Sequence, residues 1–380
     1  MSGELPIFLD YNSTTPCAPE VIESMLPYFG KNFGNPASKS HVYGGIAEEA
    51  VEQARESLAA LISAHPREII FTSGATEAIN LALKGIAQSF INPHIISFST
   101  EHKAVLDSLE WLQSGKTEVT CLAVNQHGLP DLEEIKNNIR KNTVMVCMMY
   151  ANNETGTIMP VKEVGQICNK AGIHFFCDAT QAIGKIPVDV RNDNITLLAL
   201  SGHKFYGPKG IGALYLRSSS PKPTPLIHGG GHEHGLRSGT LNVPAIAGIG
   251  KAAELAVKLM PAESARQADL KKMFLKNILS IPGTAINGNP KQSLPNTCNI
   301  AFDSEGGEQL IRRISSRLAV SQGSACSSAI TRPSHVLSAM GCSELQSFRS
   351  IRFSIGRPTT EEEISMAANI IQKSVSEIKF

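Results

Sequence analysis

The chain has 380 residues, 42% of them hydrophobic and 18% charged, with a formal net charge of +1. That length is too great for one simple core, and the apolar content excludes a disordered chain. The near-zero charge argues against direct nucleic-acid or membrane-surface binding, and no apolar run approaches the roughly eighteen residues of a membrane span.

The opening residues, Met1-Ser2-Gly3-Glu4-Leu5-Pro6, lack a basic start and a long apolar stretch, so a cytoplasmic location is expected. A short strand at 6–9 could join either of two domains. Apolar residues at steps of three and four, Ile46, Ala47, Ala50, Ala54, Leu58 and Leu61, predict a helix. Strands are predicted at 68–72, 94–99, 118–124, 143–150, 173–177, 195–201 and 211–216, with helical patterns between several of them. This alternation predicts an α/β fold with a mostly parallel central sheet covered by helices. After about residue 255 the pattern changes to a long helix at 263–279, short strands at 296–302 and 350–354, and a last helix. That helix opens on a capping box, Thr360-x-x-Glu363. A smaller α+β domain is expected there, so the chain divides into 15–255 and 1–14 with 256–380.

The cysteines are Cys17, Cys121, Cys147, Cys168, Cys177, Cys298, Cys326 and Cys342, with no Cys-x-x-Cys pair. Cys121, Cys147, Cys177 and Cys298 fall in apolar strand-like runs, where a thiol acts as a small hydrophobe. This is a reduced, intracellular pattern rather than a disulfide framework. Cys326 differs, flanked only by small and polar residues in Ser321-Gln322-Gly323-Ser324-Ala325-Cys326-Ser327-Ser328. An exposed loop with a reactive thiol is expected, although an incidental loop cysteine would read the same way.

Several strand ends carry polar groups. Ser73-Gly74-Ala75-Thr76-Glu77 follows a strand and starts a helix, so its backbone N–H groups could cradle a phosphate or simply cap the helix. His102 follows the next strand and could stack on an aromatic ring, act as an acid or base, or be structural. Asn152-Asn153-Glu154-Thr155-Gly156 is a polar turn at another strand end. Asp178 closes an apolar run where ligands bind in open α/β sheets. It could keep a pyridine nitrogen protonated or serve as a helix cap. Lys204 stands at the mouth of the apolar run 195–200, in Ser201-Gly202-His203-Lys204, where a partly desolvated amine can hold an aldehyde as a Schiff base. The Gly- and His-rich stretch His228 to Gly235 matches no zinc spacing, so no metal site is expected; a loop reaching a ligand or a second subunit suits it better.

With these residues assembled, the chain resembles the cysteine desulfurases of the NifS/IscS type, fold-type-I pyridoxal-phosphate enzymes of the class V aminotransferase group. The resemblance runs from about Phe8 to the last helix, through Leu9 to Thr15, Phe33 to Ser38, Thr72 to Glu77, Thr100 to Val105, Asn152 to Gly156, Asp178 to Gln181, Ser201 to Gly212, Gly229 to Thr240 and Gly323 to Ser328. It implies pyridoxal 5'-phosphate as cofactor. Lys204 would form the Schiff base, Asp178 pair with the ring nitrogen, Gln181 contact the ring hydroxyl, and His102 stack on the ring and move protons. Thr76, Ser201, His203 and the Ala75 N–H would hold the phosphate, and Thr240 would reach the phosphate site of the other subunit of a homodimer. Asn153 and Arg352 would bind the substrate carboxylate.

The implied reaction removes sulfur from L-cysteine. The Cys326 thiolate attacks the substrate sulfur, becomes a persulfide, and passes it to an acceptor protein, leaving L-alanine. The segment from Cys326 to Pro333-Ser334-His335 looks like the longer loop of this branch, and the Arg-x-Gly-His-His-Cys pattern of the other branch is absent. The sequence stops at Phe380, where housekeeping members carry a tail that docks the iron–sulfur scaffold. The acceptor is therefore open among iron–sulfur assembly, nitrogenase maturation, tRNA thiolation and DNA phosphorothioation proteins. A selenocysteine lyase or aminotransferase, which needs no reactive thiol, is the alternative. A sulfur-relay subunit with a decayed cofactor site is a third reading, opposed by the intact Lys204, Asp178 and His102.

Overall fold

The computed structural model describes residues 5–303, 307–322 and 333–378. Its strands are Ile7–Phe8 (β1), Ile69–Thr72 (β2), His94–Phe98 (β3), Glu118–Leu122 (β4), Thr143–Cys147 (β5), His174–Asp178 (β6), Leu197–Ser201 (β7), Gly212–Leu216 (β8), Thr284–Asn287 (β9), Thr297–Phe302 (β10), Leu318–Ala319 (β11) and Ser350–Ser354 (β12). A seven-stranded sheet runs β2-β8-β7-β6-β5-β3-β4. The β7–β6, β6–β5, β5–β3 and β3–β4 pairs are parallel, and β8 is antiparallel to both its neighbours. The reversal of β8 follows from chain length. Only residues 202–211 separate it from β7, too few for the helical crossover that a parallel return needs.

The inner strands, and the edge strand β2 with them, are buried on both faces, which is why they read as continuous apolar runs. One face packs with the helix Val42–Leu61 and the start of Val243–Ile278, and the other with Ala75–Ala87 and Lys103–Gln113. Small residues let two of these helices approach closely: a side-chain carbon at Gly250 would lie 2.6 Å from the Ala54 backbone. The edge strand β4 is different. Cys121 there is exposed, so the expectation that it acts as a buried hydrophobe fails: β4 is an edge strand and, unlike β2 at the other edge, is left largely uncovered. Cys147, Cys177 and Cys298 are buried as expected.

A second layer holds β12-β10-β9, antiparallel throughout, with its own apolar core that includes Leu9, Phe274, Phe302, Phe353 and Ile371. The chain's first strand belongs to this side, since β1 pairs with β11. The capping box forms: Thr360 Oγ1 accepts from Glu363 N, and Glu363 Oε2 accepts from Thr360 N. The long helix is more extensive than its sequence pattern indicated. It runs unbroken over Val243–Ile278, with Pro261 inside it, so the expected division after residue 255 falls within a helix. The strands Thr284–Asn287 and Leu318–Ala319 were not foreseen, the first being only half apolar and the second only two residues long. Among the described residues no helix is long and apolar enough to cross a membrane.

Candidate active site

Six of the seven strands of the large sheet point one way. The C-terminal ends of β2, β3, β5, β6 and β7 therefore share one edge, and each expected polar segment leaves the sheet there. Ser73–Glu77 follows β2, Thr100–His102 follows β3, Ala151–Gly156 lies beyond β5, Asp178 ends β6, and Ser201–Lys204 continues β7.

Lys204 sits in a single turn after β7, where its Nζ donates to the carbonyl oxygens of Asn12 and Ser13, each at 2.7 Å. The Asn12 carbonyl also accepts from Gln181 Nε2 at 3.0 Å. The turn is fixed to the same segment by His203 Nδ1 against Thr14 Oγ1 at 3.1 Å and by Thr15 N and Oγ1 donating to the His203 carbonyl. Burial, then the charges of Lys204, Lys209 and Lys185, push the His203 pKa down to about 4. Asp178 is buried and its Oδ1 accepts from the backbone and hydroxyl of Thr180. Behind it lies Glu101, whose carboxyl is pushed well up by burial, with the Asp178 charge adding to the effect. Glu101 Oε1 accepts from Met149 N at 2.7 Å, and its Oε2 has no partner among the described residues.

His102 is the N-cap of the helix Lys103–Gln113, its Nδ1 accepting from Ala104 N at 3.1 Å. The structural and the cofactor-facing readings of this residue are thus compatible: the bond orients the ring at the strand end. Ala75 and Thr76 begin the helix Ala75–Ala87 without a side-chain cap. Its first N–H groups are thereby suited to an anion. Ser201 faces that start, its Oγ 3.8 Å from where a side-chain carbon at Gly74 would stand. Gly212 gives β8 room to pass, since a side-chain carbon there would lie 2.7 Å from the Gly74 Cα.

The opposite wall comes from the second layer. Arg352, on β12, is buried; Nη2 donates to Asp10 Oδ1 at 2.6 Å and Nη1 to the Asn153 carbonyl at 3.0 Å. Its Nε has no partner among the described residues. Asn12 Nδ2 donates to the same Asn153 carbonyl, at 3.1 Å. The structure thus brings together Lys204, Asp178, Gln181, His203, Ser201, Ala75, Thr76, His102, Asn153 and Arg352. Thr240 is exposed, and no hydrogen bond among the described residues joins it to them. Its loop is tied back by Arg237 to Glu77 at 2.8 Å and by the buried Glu233 to Arg55 at 2.8 Å. Cys326 lies outside the described residues. The described residues on either side of its segment are fixed at the site: Ser321 bridges Arg352, and Ser334 Oγ donates to Glu154 Oε2. His335 Nε2 meets the Glu101 carbonyl at 2.9 Å.

Sequence reasoning missed Asp10, Glu101 and Lys185. Lys185 Nζ lies 2.6 Å from Gln181 Oε1 and 3.3 Å from Asn12 Oδ1. Its four-residue spacing from Gln181 was a usable signal, but a lysine in a turn reads as solvated. The residues fit pyridoxal 5'-phosphate. They supply an amine at a strand end, a carboxylate for a ring nitrogen, and an uncapped helix start beside a serine hydroxyl for a phosphate.

A family model described as aminotransferase class-V matches residues 7–366. A cysteine desulfurase IscS of Neisseria meningitidis is 47% identical over 382 residues, covering 100% of this chain and 94% of the relative. Among solved structures, a NifS-like protein superposes with a TM-score of 0.92 at 36% identity, covering 98% of this chain and 100% of that one. A structure described as SspA in complex with cysteine matches with a TM-score of 0.83 at 39% identity, over 92% and 98% of the two chains.

Proposed function

We propose, for a chain that belongs to the class V aminotransferase family and within it to the cysteine desulfurases, that it converts L-cysteine to L-alanine and a persulfide on Cys326, which an acceptor protein then collects. The observation that carries this is the Lys204 amine, held between two carbonyls at the C-terminal edge of the sheet, with Asp178 and Gln181 on the neighbouring strand end. Pyridoxal 5'-phosphate, when bound, supplies the aldehyde and the electron sink.

Lys204 would hold the aldehyde carbon of the bound cofactor and, as a free amine, would carry protons beside it. Asp178 would keep a proton on the ring nitrogen, Gln181 Nε2 would donate to the ring hydroxyl, and His102 would cover the ring face and carry a proton. Thr76, Ser201, His203 and the Ala75 N–H would hold the phosphate. Arg352 and Asn153 orient the substrate carboxylate, with Arg352 exchanging part of its bond to Asp10 for a bidentate one. The Cys326 thiolate attacks the substrate sulfur. A new S–S bond forms, the C–S pair stays with Cβ, and Cβ takes a proton to become the methyl of alanine. The fixed residues Ser321 and Ser334 support delivery of Cys326 to this mouth, since one bonds Arg352 and the other Glu154 beside Asn153.

The active unit is a homodimer in this reading, with the exposed Thr240 completing the partner's phosphate site. The acceptor is an iron–sulfur scaffold, a tRNA-thiolation protein or a DNA-phosphorothioation protein, met in the cytoplasm without direct nucleic-acid contact. Residues 15–255 form the cofactor domain, and 1–14 with 256–380 form the smaller one that carries the cysteine.

The test is alanine formation from L-cysteine with reductant, wild type beside Cys326→Ser, with the visible cofactor band recorded for both. Both proteins are expected to be yellow, and alanine formation to fall roughly 100-fold or more in the variant. Equal rates would remove Cys326 as nucleophile and favour a lyase; colourless protein after loading would remove Lys204.

A further inference from the structure

We infer that Lys185 is a positioning residue for the cofactor: its buried amine fixes the Gln181 carboxamide so that Nε2 is held as the donor toward the ring oxygen. The inference rests on the reading above that Gln181 faces the ring.

The amide orientation follows from its neighbours. The Asn12 carbonyl can only accept, so the Gln181 atom 3.0 Å from it must be Nε2. Oε1 then faces Lys185 Nζ at 2.6 Å. Lys185 is 8% exposed, and its other neighbour is Asn12 Oδ1 at 3.3 Å, again an acceptor. Rotating the amide by half a turn would set oxygen against the Asn12 carbonyl. Without Lys185, Oε1 would be left buried with no donor, and the Asn12 carbonyl alone would hold that rotation in check.

The location makes the orientation matter. Gln181 Nε2 and Lys204 Nζ converge on one oxygen, the Asn12 carbonyl, so whatever Lys204 holds lies beside the Gln181 donor. Burial pushes the Lys185 pKa well down, and the charges of Lys204 and Arg352 add to it. A neutral amine still carries two N–H donors, enough for the two acceptors it faces. In either protonation state Lys185 has donors for both acceptors, so it can orient the amide. The same amine bonds Asn12, whose Nδ2 donates to the carbonyl of Asn153 that Arg352 also holds. One buried lysine thus braces both walls of the site.

The experiment reads the pH midpoint of the visible cofactor band in the loaded enzyme without substrate. A donor on the ring oxygen favours the deprotonated Schiff base, so losing it raises the midpoint. Lys185→Met is expected to raise it by about one pH unit, a tenfold change in the proton equilibrium. Gln181→Leu should raise it at least as far, and the double variant no further than Gln181→Leu alone. A wild-type midpoint in Lys185→Met beside a raised one in Gln181→Leu overturns the inference alone. A wild-type midpoint in Gln181→Leu overturns the placement of Gln181 against the ring, and the inference with it. Additive shifts in the double variant also overturn it, because Lys185 would then act independently of Gln181. Should Lys185→Met be insoluble, Lys185→Leu is read in the same cycle.

Discussion

Two arginine–carboxylate pairs, one at the β2 edge of the large sheet and one on β12 of the small sheet, are built differently. Arg55 and Glu233 are 5% and 2% exposed, and almost every polar atom is used. Arg55 reaches Glu52, the Ile69 carbonyl and both Glu233 oxygens, while Glu233 Oε2 also accepts from Phe71 N at 2.7 Å. Arg352 and Asp10 are 4% and 16% exposed, and the Arg352 Nε has no partner among the described residues. The first pair locks a Gly-rich loop, including the non-glycine residues Glu233 and His234 at positive φ, to the edge of the large sheet. The second leaves a fork incompletely satisfied beside the Asn153 carbonyl. Under the proposed function the contrast is one between scaffold and site: the first pair is fully hydrogen-bonded, while the second keeps a donor and a partly exposed carboxylate that a substrate would engage.

The largest effect should come from breaking the scaffold pair. Arg55→Met leaves Glu233 buried without its counter-charge and is expected to cost about 3–5 kcal/mol in urea denaturation of the loaded enzyme. A loss below about 1 kcal/mol would place the pair with exposed ones and erase the contrast. Arg352→Lys keeps the charge but not the fork. It is expected to lower kcat/KM for L-cysteine by about 100-fold, about 2.7 kcal/mol, while moving the denaturation midpoint far less than Arg55→Met. If both variants lose stability equally, Arg352 is scaffold as well. A smaller effect tests how the loop that the first pair locks is tied to the helix start at Ala75. Glu77 accepts from Arg237 and from Ser73 N at 2.7 Å, and this pair is half-buried. Glu77→Gln should weaken cofactor binding about 3- to 10-fold with little change in stability, measured by titrating the apoprotein with pyridoxal 5'-phosphate.

The same contrast explains what was legible in the sequence. The large sheet could be read because its strands, buried on both faces, are continuous apolar runs, and because turn residues mark the strand ends where Lys204, Asp178 and His102 stand. Element ends were off by up to three residues, as at 143–150, where only Thr143–Cys147 is strand. Cys121 was misjudged because a five-residue run does not reveal whether its strand is inner or edge. The network behind the site was not legible. Lys185, Asp10 and Glu101 are polar residues whose burial depends on which segments meet. Asn12 lies 169 positions from Gln181 and 192 from Lys204, so no local pattern records their contact. The carboxylate-facing wall was legible only by resemblance, since nothing around Arg352 distinguishes it from a strand-end arginine.

His203 gives the finest test of the sheet-edge wall. Burial and the charges of Lys204, Lys209 and Lys185 lower its pKa from 6.5 to about 4. Below pH 6.5 the unfolded chain binds a proton at this ring, and the folded apoprotein does not until about pH 4. The unfolded state therefore binds more protons across that window, and stability falls as pH falls through it. Because the ring is only partly buried, the effect should be discounted for solvent screening to about 1–2 kcal/mol. The wild-type apoprotein is expected to lose that much more than His203→Gln between pH 7 and about pH 4.5, read from urea midpoints, with the difference cancelling the shared carboxylates. A bound phosphate beside the ring would oppose the lysine charges and raise the His203 pKa. Loading with pyridoxal 5'-phosphate should then shrink the difference between the two proteins. A difference unchanged by loading would move the phosphate away from His203, and the cradle would rest on Ser201 and the helix start at Ala75 and Thr76 alone.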